Sequence, residues 1–388
     1  MELVTEKRAL AQEIRDFLDE MKNRVLAGEE SSIYALWVDA KNDIVDMFLE
    51  IGQLDYILRQ NNDVGRGILN MEYVSRCVEE IDNSCFNDCG KFCRSITILR
   101  EYTDLIYILL DCIVSNSEVF PAETMNMLEY CYTSQDSEEL RGIAKRVIKN
   151  KRQDVFAFDW EMEKVETFFD KEAGMYYVME QGHRMYLPIE IFATGEEVAQ
   201  YVNALHMEQD ARSPHRYINE RMEVPEGAVV LDAGVAEGNF SIGIIDKVKK
   251  LYLVECEPYF IHALKWTFKD YMDKIVIVEK FLSGHEDAQC TTIDAIMQGE
   301  PLDYLKMDIE GAEMDALQGG EKTIAVSPNL KCNVCAYHHL HDNEVITEFL
   351  SQHGMEVENT PGYMMFHLDE EYPHYPRKGL AQAVKKKA

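Results

Sequence analysis

Basic residues are scarce in this chain. Its 388 residues include 39 lysines and arginines against 70 aspartates and glutamates, a formal net charge of −31. A phosphate-rich partner needs a basic face, so nucleic acid and anionic membrane are not expected partners. Long apolar runs are also missing. A membrane span needs roughly 20 predominantly apolar residues. The longest candidate, Leu105 to Val114, is short and broken by Asp111. The N-terminus carries Glu2, Glu6 and Lys7 and lacks an apolar signal core. Ten cysteines without such a core are expected to be reduced thiols in a cytoplasmic protein. No repeat of fixed period is visible, and no H-E-x-x-H or equivalent spacing points to a catalytic zinc.

What is present divides the chain. A length of 388 residues implies two or three domains. Residues 1–152 read as an all-helical domain. Leu3, Leu10, Ile14, Phe17, Leu18 and Met21 recur at helical spacing, and Ser31 to Leu58 repeats the pattern. Further helices are expected over 73–81, 95–114, 124–132 and 138–148. A bundle of this size suits an oligomer interface, so a homo-oligomer through it is the base-rate expectation. Cys77, Cys85, Cys89 and Cys93 fall at multiples of four. Lacking tight C-x-x-C pairs, they are expected to pack in a core rather than hold a metal.

Residues 153–204 change character. Val165 to Phe169, Met175 to Met179 and Arg184 to Leu187 alternate around turn residues, which predicts a small antiparallel meander followed by a helix over 195–208. The polar, aromatic stretch Glu208 to Tyr217 then leads into residues 205–372, where strands and helices alternate from 228 onward. That alternation predicts an α/β fold with a doubly wound, mostly parallel sheet. Its last strands are expected near 355–358 and 363–367, and residues 373–388, ending in Lys385-Lys386-Lys387, read as a frayed tail.

Two stretches carry chemistry. Val229 to Asp232 is a buried strand ending in a carboxylate, followed by Gly234, Gly238 and an amphipathic run from Phe240. Strand, glycine turn and helix open a nucleotide-binding unit. The spacing D-x-G-x-x-x-G differs from the G-x-G-x-x-G of dinucleotide sites, which disfavours a dehydrogenase. Glu255 ends the next strand, 23 residues after Asp232, where a carboxylate can accept both ribose hydroxyls. The second stretch, Leu302 to Glu313, places Asp308 and Glu310 at the carboxyl edge of the sheet. Two carboxylates there can orient a hydroxyl, bind a divalent ion or hold a cofactor's amino group. The following strand ends in Tyr337-His338-His339, and His338 projects near Asp308 as a candidate base. His215 and Tyr217 lie just upstream of the first core strand, at the expected cofactor edge.

The run from Val229 to Phe366 resembles the FkbM-type branch of the S-adenosylmethionine-dependent methyltransferases. Asp232-Ala233-Gly234-Val235-Ala236-Glu237-Gly238-Asn239-Phe240-Ser241 is similar to the family's first motif, Glu255-Cys256-Glu257-Pro258 to its ribose acid, and Leu305 to Glu313 with Leu317-Gln318-Gly319 to its L-K-x-D-x-E-G-A-E signature. Thr291-Thr292-Ile293-Asp294 is similar to its T-x-L-D segment. The chain differs at Val235, at Ala236-Glu237, at Cys256 and at Tyr337-His338, and residues 1–150 lie outside the resemblance. The resemblance implies a seven-stranded methyltransferase sheet with its last strand antiparallel. It implies S-adenosylmethionine as cofactor, held by Asp232, Gly234, Glu237, Gly238, Asn239, Phe240, Glu255 and Cys256, with His215, Tyr217 and Asp308 near it. The implied activity is methyl transfer to a hydroxyl of a sugar-like or natural-product acceptor, with His338, Asp308 and Glu310 as catalytic candidates. Magnesium is a minority expectation, and no metal is obligatory. The alternatives are a carboxylate or nitrogen acceptor, including a peptide, and an inactive methyltransferase fold serving as a scaffold.

Overall fold

The computed structural model describes residues 2–27, 30–61, 69–84, 88–114, 122–133, 137–150, 154–365 and 376–386. They divide into two compact units, one holding residues up to 153 and the other the residues from 154 onward.

The first unit is helical throughout its described residues: α1 (Glu2–Leu26), α2 (Glu30–Asn61), α3 (Met71–Ser84), α4 (Cys89–Val114), α5 (Ala122–Thr133) and α6 (Glu138–Asn150). Spacings of three and four put Ala11, Ile14, Leu18, Met21 and Val25 on one buried stripe of α1. That stripe faces α4, which buries Ile96, Leu99, Thr103, Ile106 and Leu110. The cysteine pattern does not share one helix. Cys77 sits on α3 and Cys93 on α4, because the chain leaves α3 at Ser84; Cys85 and the side chain of Cys89 lie outside the described residues. The Cys77 thiol is buried, which pushes it up to about 12, and among the described residues neither Cys77 nor Cys93 joins a metal-ligating group. No described helix is long and apolar enough to cross a membrane.

The second unit opens with an antiparallel meander, β1 (Phe168–Asp170), β2 (Met175–Glu180) and β3 (His183–Leu187). Gln181 and Gly182 join β2 to β3 with φ of +48° and +90°, the primed turn that matches strand twist. Helix α7 (Gly195–Glu208) starts on a capping box between Thr194 and Glu197.

The remainder alternates: β4 (Val229–Ala233), α8 (Asn239–Ile244), β5 (Lys250–Val254), α9 (Pro258–Thr267), β6 (Ile275–Val278), β7 (Phe281–Leu282), β8 (Cys290–Thr291), α10 (Ile293–Met297), β9 (Tyr304–Met307), α11 (Glu313–Gln318), α12 (Glu321–Val326), β10 (Lys331–Cys335), α13 (Asp342–Gln352), β11 (Met355–Asn359) and β12 (Leu380–Lys385). Seven strands form one sheet in the order β11-β12-β10-β9-β4-β5-β6. All pairings are parallel except those of β12, which runs antiparallel to both β10 and β11. Its central strands β4, β9 and β10 are buried on both faces. Val230, Leu251, Leu253 and Tyr304 join one core, while Leu231, Tyr252, Val254, Leu305 and Met307 join the other.

The seventh strand corrects the sequence reading. It is Leu380–Lys385 within the expected tail, not residues 363–367. Met364 makes only isolated bridges to Phe156 and Arg377, and residues 366 and 367 lie outside the described residues. Alanine is a poor strand former, which hides Leu380-Ala381-Gln382-Ala383 in the sequence; backbone partners on both sides define the strand instead. Nor is Lys385 frayed. Its Nζ donates to the carbonyls of Ile324 and His353, each at 2.9 Å, where α12 and α13 end.

Candidate active site

The glycine turn follows β4 directly. Gly234 has φ +71°, and a Cβ placed on it would stand 1.7 Å from the Asp308 carbonyl oxygen. Only glycine lets the two backbones approach so closely. Ala236 also takes a positive φ of +48°, and Gly238, at +91°, leads into α8 with Leu264 and Phe268 packed against it.

Glu255 directly follows β5 and locks this turn. Its Oε2 accepts from Ala236 N at 2.9 Å, and its Oε1 accepts from Cys256 N and Glu257 N at 2.8 and 2.9 Å. Three backbone donors fix the carboxylate while Oε2 keeps acceptor capacity toward the cavity.

Asp232 lies beneath the turn, 1% exposed. Its Oδ2 accepts from Ser241 Oγ at 2.6 Å, and its Oδ1 is 3.2 Å from Lys306 Nζ. Lys306 also donates to the Gly234 carbonyl at 2.7 Å. Burial works against the Lys306 charge, but Asp232 and Asp308 outweigh it and hold the amine above its usual range. The pair thus braces the turn from behind, and Asp232 does not line the cavity.

Asp308 follows β9 and gathers donors. Tyr217 Oη donates to its Oδ2 at 2.8 Å and Tyr337 Oη to its Oδ1 at 3.3 Å. His215 Nε2 is 3.4 Å from Oδ2, and His338 Nε2 is 3.5 Å from Oδ1. Burial alone would raise this carboxyl, but His215, Lys306 and His338 hold it well below its usual range. Burial keeps both tyrosines protonated by pushing them well above theirs. An acid so strongly held as its anion is a poor proton acceptor at neutral pH. Its hydrogen-bond partners are donors, and Glu310, though 86% exposed, has Oε2 3.6 Å from His338 Nε2.

His338 is buried among three carboxylates. Its Nδ1 is 3.1 Å from Glu313 Oε1, and its Nε2 is 3.6 Å from Glu310 Oε2 as well as near Asp308. Burial disfavours its charge, yet Glu313, Asp308 and Glu310 push it up to about 9. The ring is therefore an imidazolium at neutral pH, and it does not line the cavity. The raised value bears on the expectation of a base at His338, because it favours the protonated ring. The carboxylates, invisible as neighbours in the sequence, convert it to a structural cation. Glu313 also accepts from Ile309 N at 2.8 Å, closing the turn in which Glu310 takes φ +56°.

These elements surround a cavity of about 780 Å³ at the carboxyl ends of β4, β5 and β9, a size suited to a small-molecule ligand. Of the residues singled out in the sequence, Gly234, Glu237, Asn239, Phe240, Glu255, Cys256, Asp308, Glu310, His215 and Tyr217 line it; Asp232, Gly238 and His338 do not. Sequence reasoning passed over Tyr201, Glu208 and Tyr337, which also line it. Tyr201 Oη donates to Glu237 Oε2 at 2.7 Å, and burial pushes Glu237 up to about 7. Glu208, raised by burial, faces His215 Nδ1 across 3.7 Å. Glu208 opens the polar stretch that drew attention to His215 and Tyr217, and that proximity is the only sequence signal for it.

The described geometry can be set beside known proteins. A search of curated proteins returned no match. Among solved structures, the chain is similar to a methyltransferase FkbM from Methylobacillus flagellatus KT, with 18% identity and a TM-score of 0.35, over 48% of this chain and 54% of that one. The chain thus spans about half the length of that protein. It is also similar to a magnesium protoporphyrin IX methyltransferase from Synechocystis PCC 6803, with 14% identity and a TM-score of 0.29, over 42% and 71% of the two chains. A third similarity is to a precorrin-6y C5,15-methyltransferase from Geobacter metallireducens GS-15, with 15% identity and a TM-score of 0.30, over 43% and 85%. The methyltransferase FkbM domain family model matches residues 253–368. Over those residues the chain is similar to the methyltransferase FkbM domain family.

Proposed function

We propose that this protein is an S-adenosylmethionine-dependent O-methyltransferase acting on a hydroxyl of a sugar-like or natural-product acceptor. The observation that carries the reading is the cavity between the glycine turn with Glu255 on one side and Asp308 on the other. Gly234 lets the turn close against the Asp308 backbone at the cavity wall, and Glu255 offers Oε2 to a ribose. Glu237, Asn239, Phe240 and Cys256 complete that wall, with Asp232 acting through Lys306 and Ser241. When bound, the cofactor supplies an activated methyl group, and the protein's part is to align the acceptor oxygen and receive its proton.

The cavity's charge supports a hydroxyl over a carboxylate acceptor. Glu208, Glu237, Glu255, Glu257, Asp308 and Glu310 line it against Lys280 and Lys306, and Lys306 is paired with Asp232. A second anion would enter a field of its own sign. Titration calorimetry with S-adenosylhomocysteine tests the cofactor. One site per chain at micromolar affinity is expected, and no binding overturns the reading. Transfer from radiolabelled S-adenosylmethionine to D-glucose, L-rhamnose and glycerol, against glucuronate and glycine, tests the acceptor class. Labelled ethers are expected, and labelled esters or amines alone would move the reading to the other acceptors.

A further inference from the structure

The two expected bases are unsuited to the work: Asp308 is held as a stable anion and His338 is a cation outside the cavity. A different set stands ready. His215 is 4% exposed and lies between two carboxylates, with Nε2 3.4 Å from Asp308 Oδ2 and Nδ1 3.7 Å from Glu208 Oε2. Nδ1 is buried and has no hydrogen-bond partner. An orphaned nitrogen in so polar a site calls for an explanation.

The surroundings set the tautomer. Tyr217 gives its one proton to Asp308, so its oxygen, 3.3 Å from Nε2, faces that nitrogen as an acceptor. Asp308 faces Nε2 as an anion. Cys335 Sγ lies 3.5 Å from Nε2, and a thiol is a weak donor. The Tyr337 ring stands edge-on at 5.4 Å. Two oxygen acceptors face Nε2 and favour a proton there, while Nδ1 faces the Glu208 carboxylate at 3.7 Å. Glu208, His215 and Asp308 all line the cavity, and the Glu208 side chain, 35% exposed against 20% for Asp308 and 4% for His215, is the one most open to an acceptor.

We propose that Glu208, His215 and Asp308 form a proton relay for the methyl transfer, with Glu208 as the catalytic base and His215 as the positioning group behind it. This rests on the methyltransferase reading above. The acceptor O–H bond breaks with its proton going to the Glu208 carboxylate, and the oxygen keeps the electron pair for its new bond to the methyl carbon. The carbon–sulfur pair returns to sulfur, which becomes a neutral thioether. Glu208 passes the proton to Nδ1, and the resulting imidazolium stands between two carboxylates that balance its charge.

Nitrogen NMR of protein labelled in its histidine rings, saturated with S-adenosylhomocysteine at pH 8, tests the relay; His215→Gln assigns the signal. The expected result is a neutral His215 ring with its proton on Nε2, shifting to a tautomer mixture in Asp308→Asn. A proton on Nδ1, a doubly protonated ring, or a tautomer indifferent to Asp308→Asn overturns the proposal. Glu208→Gln is expected to keep S-adenosylhomocysteine affinity within twofold while lowering transfer to the accepted sugar at least 100-fold, with partial rescue by Glu208→Asp. Full transfer in Glu208→Gln overturns it. Absence of S-adenosylhomocysteine binding by the unmodified protein overturns the cofactor reading instead, so the two failures are distinct.

Discussion

Gly234 and Asp308 meet backbone to backbone. A Cβ on Gly234 would lie 1.7 Å from the Asp308 carbonyl oxygen, at a φ of +71° that side chains rarely adopt. The first and second chemical stretches of the chain, 74 residues apart, are thus joined where β4 and β9 end side by side. Gly234→Ala must either push β9's extension away or distort the turn. The expected result is a loss of about 3 kcal/mol or more in urea unfolding, since left-handed strain alone costs on the order of 1–3 kcal/mol. A substitution that leaves stability unchanged would show that the close approach is not obligatory.

Asp232 and Glu255 were read from the sequence as one kind of residue, and the structure separates them. Asp232 neutralises a buried lysine; Glu255 holds three backbone N–H groups at the cavity wall. Asp232→Ala leaves Lys306 buried without its counter-charge, which costs on the order of 3–5 kcal/mol of stability. Adding Lys306→Met to Asp232→Leu is expected to recover most of that loss. Glu255→Ala is expected to cost roughly 1–3 kcal/mol of stability and to weaken S-adenosylhomocysteine at least tenfold. Urea unfolding and calorimetry on the same preparations decide. Equal effects of both substitutions on stability and affinity would contradict the separation.

How much of this was legible follows from how local each signal is. The glycine turn, Glu255 and Asp308 sit at strand ends, and a strand followed by glycine and a helix is written in a dozen consecutive residues. The meander and α7 are similarly local, through turn residues and the Thr194–Glu197 cap. β12 was not legible because alanines define it only through its two neighbours. The surroundings of His338 were not legible for the same physical reason. Its chemistry belongs to Glu313, Glu310 and Asp308, and the sequence reveals their presence but not that their oxygens converge on one ring. Glu208 escaped notice because its partner His215 is reached by a turn of the chain rather than by helical or strand periodicity.

That convergence gives His338 a measurable signature. Its folded value, pushed up to about 9, lies above the 6.5 of an unperturbed histidine. A raised value means that the folded protein binds a proton the unfolded chain releases. The stabilisation is therefore fully present below about pH 6.5 and is lost as pH rises through about 9. A shift of this size corresponds to about 3.5 kcal/mol at most, because one unit is worth about 1.4 kcal/mol. His338→Gln keeps the size and hydrogen bonding of the ring without its charge. The stability gap between unmodified protein and variant, followed by urea unfolding from pH 6 to 10, is expected to be largest at the acid end and to close above pH 9. S-adenosylhomocysteine affinity should stay within twofold, since His338 does not line the cavity. A gap that widens with pH would mean that the ring is neutral in the folded protein, and His338 would return as a candidate base.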